Sequence, residues 1–106
     1  MGDEIVVLIT ASSGDEAALI GKALVDGRLA ACANIVPEVR SLFFWEGTTQ
    51  DERETLLIVK SRLPLMEKLI VRVKALHSYK VPEIIALPIV AGSRDYLNWL
   101  HETTQE

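Results

Sequence analysis

The chain has 106 residues, 49% of them apolar and 25% charged, a balance that suits one globular domain spanning 1–106 and excludes a disordered chain. Its net charge of −4 repels nucleic-acid backbones and anionic membranes, so neither is an expected partner. A single cysteine cannot close an internal disulfide, the start Met1-Gly2-Asp3-Glu4 is acidic where a signal peptide is basic, and the first apolar run is too short to span a membrane. A cytoplasmic location is therefore expected.

Ile5, Val6, Val7, Leu8 and Ile9 form a continuous, β-branched apolar run that predicts a strand buried on both faces. Ser13 and Glu16 have capping-box spacing, and Ala17, Ile20 and Leu24 then recur at helical spacing until Gly27 offers a stop. Residues 33–45 are extended in character, with Val36, Val39, Phe43, Phe44 and Trp45 along them and Pro37 marking a bend or bulge. A turn over 46–51 and a returning strand over 55–59 complete a hairpin. Pro64 opens a second helix whose apolar face is Met66, Leu69, Ile70, Val73 and Leu76. The 84–90 stretch is apolar but contains Pro88 and follows Pro82, which predicts an edge or broken strand. Ser93 is placed to cap a last helix carrying Tyr96, Leu97, Trp99 and Leu100.

This order predicts an α+β, ferredoxin-like β-α-β-β-α-β fold with an antiparallel sheet, a long hairpin and an extra C-terminal helix. A strand of about 13 residues spans ~43 Å, whereas a domain of this size is only ~34 Å across. The hairpin should overhang its core. Its Phe43, Phe44 and Trp45 then need cover, and further copies of the chain are the natural source.

Four blocks carry a resemblance: Leu29-Ala30-Ala31-Cys32-Ala33-Asn34-Ile35-Val36-Pro37; Ser41 with Phe44-Trp45-Glu46-Gly47; His77-Ser78-Tyr79-Lys80-Val81-Pro82-Glu83-Ile84-Ile85-Ala86-Leu87-Pro88; and Asp95-Tyr96-Leu97-Asn98-Trp99. In order and spacing they resemble the CutA divalent-cation tolerance proteins across essentially the whole chain. The resemblance implies a homotrimer whose long hairpin wraps its neighbours. It also implies an architecture like that of the trimeric signalling proteins of nitrogen regulation, and a link, in animal members, to anchoring other proteins.

Binding of Cu(II), or of Zn(II) after it, needs several imidazole, thiolate or carboxylate ligands, and this chain has few. His77 matches the family's motif histidine, with Glu83 just beyond it and Cys32 in the Ala-Ala-Cys block. The bland alternatives are a histidine complementing a helix C-terminus and a small buried thiol. His101 reads as a solvated residue of the polar tail. Some copper-binding members carry a Cys and a His where Ile9 and Leu76 stand here, so subunit boundaries are the expected place for a complete site. Trp45, Glu46, Tyr79 and Lys80 are candidates to line an inter-subunit cleft for a small molecule or a protein partner, or simply to pack an interface. Lys60 is a candidate anion ligand or a partner for Glu46 or Glu54. No phosphate loop, dinucleotide fingerprint or paired-cysteine motif is present, so neither an enzyme nor an organic cofactor is expected.

Overall fold

The computed structural model describes residues 2–105. The chain runs as β1 (Glu4–Ala11), α1 (Gly14–Asp26), β2 (Cys32–Trp45), β3 (Thr48–Arg62), a 3-10 turn (Leu63–Leu65), α2 (Met66–Leu76), β4 (Ile84–Pro88) and α3 (Arg94–Thr103). The strands form one sheet in the order β2-β3-β1-β4 with every neighbouring pair antiparallel. This is the expected split βαβ arrangement with a helix added at the end.

Alternation along the strands sorts the side chains onto two faces. Ile5, Val7, Ile9 and Ala11 of β1 and Leu57 and Val59 of β3 pack beneath Ala17, Ile20 and Leu24 of α1 and Leu69 and Val73 of α2. All of these are essentially inaccessible to water. Gly21 brings α1 close to the sheet, since a Cβ there would stand 3.3 Å from the Ala33 Cβ. The opposite face is less covered than a strand buried on both sides would require. Val6 and Leu8 are only half-buried, and their cross-strand neighbours Leu87 and Ile85 are exposed.

The hairpin departs most from expectation. Instead of a six-residue turn, the chain reverses over Glu46 and Gly47 alone, at φ 51° and 82°. Two positive φ values give a turn whose twist matches that of the flanking strands, so pairing resumes at once with Trp45 opposite Thr48. The polar 48–54 segment reads as a turn by composition. It is held as strand by cross-strand charge pairs: Arg40 donates to both Asp51 oxygens at 2.9 and 2.6 Å, and Arg53 reaches Glu38 at 3.2 Å. Pro37 sits at the one register irregularity, between Val36 and Val39, as its lack of an N–H requires. The ribbon stretches the molecule to 44 Å along one axis against 25 and 23 Å along the others.

β4 ends at Pro88 rather than at 90 and pairs only with β1, which makes it an edge strand. Ser93 occupies the N-cap position of α3 without making a side-chain capping bond. That helix is secured from its other end. Arg62, buried, donates to the Thr104 hydroxyl at 2.8 Å and to the Gln105 carbonyl, while Arg28 donates to the Thr103 and Glu102 carbonyls. Replacing Leu57, fully buried where α1 meets the sheet, by Ala should cost about 2–5 kcal/mol through lost contacts and a residual cavity. Urea unfolding at fixed protein concentration measures this, and a loss below about 1 kcal/mol would contradict the packing described.

Candidate functional site

The distal half of the hairpin and the segment following α2 enclose an open cleft of about 1140 Å³. Its walls include Phe43, Phe44 and Trp45 on one side and Tyr79, Lys80 and Glu83 on the other, with Thr10 and Ser12 at the end of β1 between them. Leu42 and Phe44 are 66% and 73% exposed, so much of the apolar tip has no cover within the chain. Four carboxylates, Glu46, Glu52, Glu54 and Glu83, face two cations, Arg53 and Lys80. The lining is net acidic and favours cations over anions.

A polar cluster built on His77 sets the shape of that wall. Its side chain is fully buried. Nε2 lies 2.7 Å from the Thr10 carbonyl and Nδ1 accepts the Tyr79 N–H at 3.0 Å, which fixes the proton on Nε2. Glu16 stands 3.7 Å from Nδ1. Its carboxylate accepts the Ser12 N–H at 2.9 Å, the Ser12 hydroxyl at 3.0 Å and the Ser78 N–H at 2.8 Å. Burial pushes the Glu16 carboxyl up, but the bonds from Ser12 and Ser78 outweigh it and hold the pKa at about 2. Only half of the expected capping box forms. Ser13 accepts the Glu16 N–H at 3.1 Å, while the Glu16 carboxylate turns to Ser12 and Ser78 and ties α1 to the cleft.

Tyr79 packs on the His77 ring at 4.7 Å between centroids and donates to Glu54 at 2.7 Å. Burial, then the bond and charge of Glu54, push its hydroxyl well above the ordinary tyrosine range, so it remains a donor. Glu54, although on the polar segment of β3, is thereby buried.

The candidate residues therefore divide. Trp45, Glu46, Tyr79, Lys80 and Glu83 share the cleft. His77 lies behind it with both ring nitrogens engaged. Cys32 begins the 14-residue strand that ends at Trp45, on the part of the strand that precedes the cleft-lining residues from Ser41 onward. Its thiol lies 3.8 Å from the Asn34 side-chain oxygen, and α3 approaches it: burial and the neighbouring Cys32 raise the Tyr96 hydroxyl. Lys60, opposite Cys32, donates to Asn34 rather than pairing with Glu46 or Glu54. His77, Glu83 and Cys32 are not brought together within one chain. Among the described residues, a single group of three or more potential ligands converges, formed by Asp3, Glu4 and His101. His101 is thus half-buried against β1 and not a solvated tail residue.

The family model described as CutA1 divalent ion tolerance protein matches residues 5–103. A divalent-cation tolerance protein CutA of Thermus thermophilus is 54% identical, over 95% of this chain and 98% of its own length. The solved structure of a Thermus thermophilus Cut A1 superposes with a TM-score of 0.94 at 54% identity, covering 96% of this chain and 99% of that one. A periplasmic divalent cation tolerance protein CutA of Archaeoglobus fulgidus gives a TM-score of 0.93 at 40% identity, covering 96% and 99%. A chloroplastic CutA 1 of rice is 44% identical over 96% of this chain, which spans 58% of the rice protein.

Because Glu16 binds protons less tightly in the fold than its ordinary pKa of 4.5, its contribution is complete above pH 4.5 and is lost as pH falls toward about 2. Glu16→Gln should cost about 1–3 kcal/mol near neutrality and should flatten the decline in stability below pH 4.5. Urea midpoints measured from pH 7 down to 2 check both. A variant with the parental acid slope would remove Glu16 from this role.

Proposed function

The chain belongs to the CutA1 divalent ion tolerance family, and from that premise we propose a non-catalytic, cytosolic homotrimer that binds divalent metal, Cu(II) before Zn(II), weakly at its subunit boundaries. The single observation that carries this reading is the acidic cleft beneath an uncovered aromatic hairpin tip. Apolar surface of that size next to unpaired carboxylates is covered most economically by copies of the same ribbon.

The cleft acids of one chain do not converge on a common point, whereas a second copy can bring further ligands to Glu83. Incomplete ligand sets on separate chains account for binding that is weak and confined to boundaries. His77 acts as a positioning residue. Metal at its ring would have to displace the bond to Thr10 or to Tyr79, so Glu83 is the ligand the cleft offers directly. A second reading rests on Lys80 and Arg53, which can hold a small anionic metabolite in the same cleft, or on the exposed tip as a seat for a protein partner.

Calorimetric titration with Cu(II) separates these readings. Glu83→Gln should weaken binding roughly tenfold, the scale of one lost ligand contact. Unchanged Cu(II) affinity in that variant would remove the cleft from the metal site. Thermal stabilisation by an anionic metabolite and by no metal would favour the second reading.

A further inference from the structure

The geometry points to a second divalent-metal site, complete within one chain and remote from the cleft, formed by Asp3, Glu4 and His101. Glu4 and Thr10 stand near opposite ends of β1, so the two places cannot share a ligand. Each of the three side chains offers one ligand atom that lies within 4.8 Å of those of the other two.

What marks this cluster is unmet bonding. Asp3 Oδ1, Glu4 Oε2 and His101 Nδ1 are all shielded from water, and none has a hydrogen-bond partner. Buried polar atoms without partners are rare because each costs the full desolvation of the group. Here three occur together. Glu4 is only 3% exposed, so its free oxygen points into protein and not into solvent. The atoms make no hydrogen bonds to each other, whereas one ion with bonds of ~2.0–2.2 Å satisfies all of them after small side-chain rotations.

The remaining contacts leave these atoms free. Gly2 N–H donates to Glu4 Oε1 at 3.1 Å, and Arg62 lies 3.6 Å from Asp3 Oδ2. Two carboxylates against one guanidinium leave a net negative charge, which a divalent cation reverses. The scaffold is firm on every side. Leu63 N–H binds the Asp3 carbonyl at 2.7 Å, Ile89 N–H binds the Glu4 carbonyl at 3.0 Å, and α3 is tied by Arg62 to Thr104. One imidazole with two carboxylates suits a borderline ion such as Zn(II) or Co(II), with water in the remaining positions, and has no thiolate or thioether to select soft Cu(I).

Titration of the tag-free chain with Zn(II), by calorimetry, should give one ion per chain at this site. Co(II) should produce a visible d–d absorption of low coordination number. Glu4→Gln and His101→Gln should each weaken this Zn(II) binding at least tenfold, and should do so equally in a Glu83→Gln background, so failure here and failure of the cleft reading are distinguishable. Without metal, Glu4→Gln should unfold no earlier than the parent, since the amide removes an unpaired buried charge. Absence of saturable one-per-chain binding, or equal affinity in both variants, would overturn the site. So would a large loss of metal-free stability in Glu4→Gln, because Glu4 Oε2 would then have a partner within the protein.

Discussion

The reversal at Glu46 and Gly47 is the constraint on which the molecule's shape depends. Two consecutive positive φ values close the hairpin in two residues, and every cross-strand pair from Trp45 and Thr48 back to Val39 and Glu54 takes its register from that closure, the irregularity at Pro37 shifting the pairs beyond it. A looser turn would let β3 begin later and bring the aromatic tip down toward the core. The tight one projects Leu42, Phe43, Phe44 and Trp45 beyond it. The cleft is therefore a product of strand length, walled on one side by a ribbon longer than the body it grows from.

The body beneath is organised by β1, whose two ends carry different chemistry. At its C-terminal end, Thr10 and Ser12 receive His77 and Glu16, so that α1, α2 and the segment bearing Tyr79 meet in one hydrogen-bonded cluster. Every polar atom of the Glu16 carboxylate is used, and the cluster rigidifies the cleft wall. At the N-terminal end, Glu4 lies opposite Arg62, the residue that anchors α3. There the bonding is left incomplete. The contrast between a satisfied cluster and an unsatisfied one on the same strand separates a structural role from a ligand-binding one.

Much of this was legible in the residues. The element order, the apolar faces of α1 and α2, the disturbance at Pro37 and the overhanging ribbon all follow from periodicity and strand length. The 48–54 segment was not, because Thr-Thr-Gln-Asp-Glu-Arg-Glu has the composition of a loop and becomes strand only through partners on β2. Glu16 was visible as a capping residue, but its bond to Ser78 joins positions far apart in sequence and leaves no local signal. His101 was misleading for the same reason: it looks like a solvated tail residue until Asp3 and Glu4 are brought beside it by the fold, and Glu54, a candidate partner for Lys60, instead accepts from Tyr79. Family likeness directed attention to His77, Glu83 and Cys32, and only the geometry separates them into a buried positioning group, a cleft carboxylate and a thiol beside α3.

The central claim is that the hairpin tip is an inter-subunit surface, and the mass of the particle in solution tests it most directly. Static light scattering of the full chain at micromolar concentration should return three times the 11.7 kDa chain mass. A stable particle of 11.7 kDa would contradict the account, because the aromatic tip would then be at ease in water and the cleft acids would receive no ligand from a second copy.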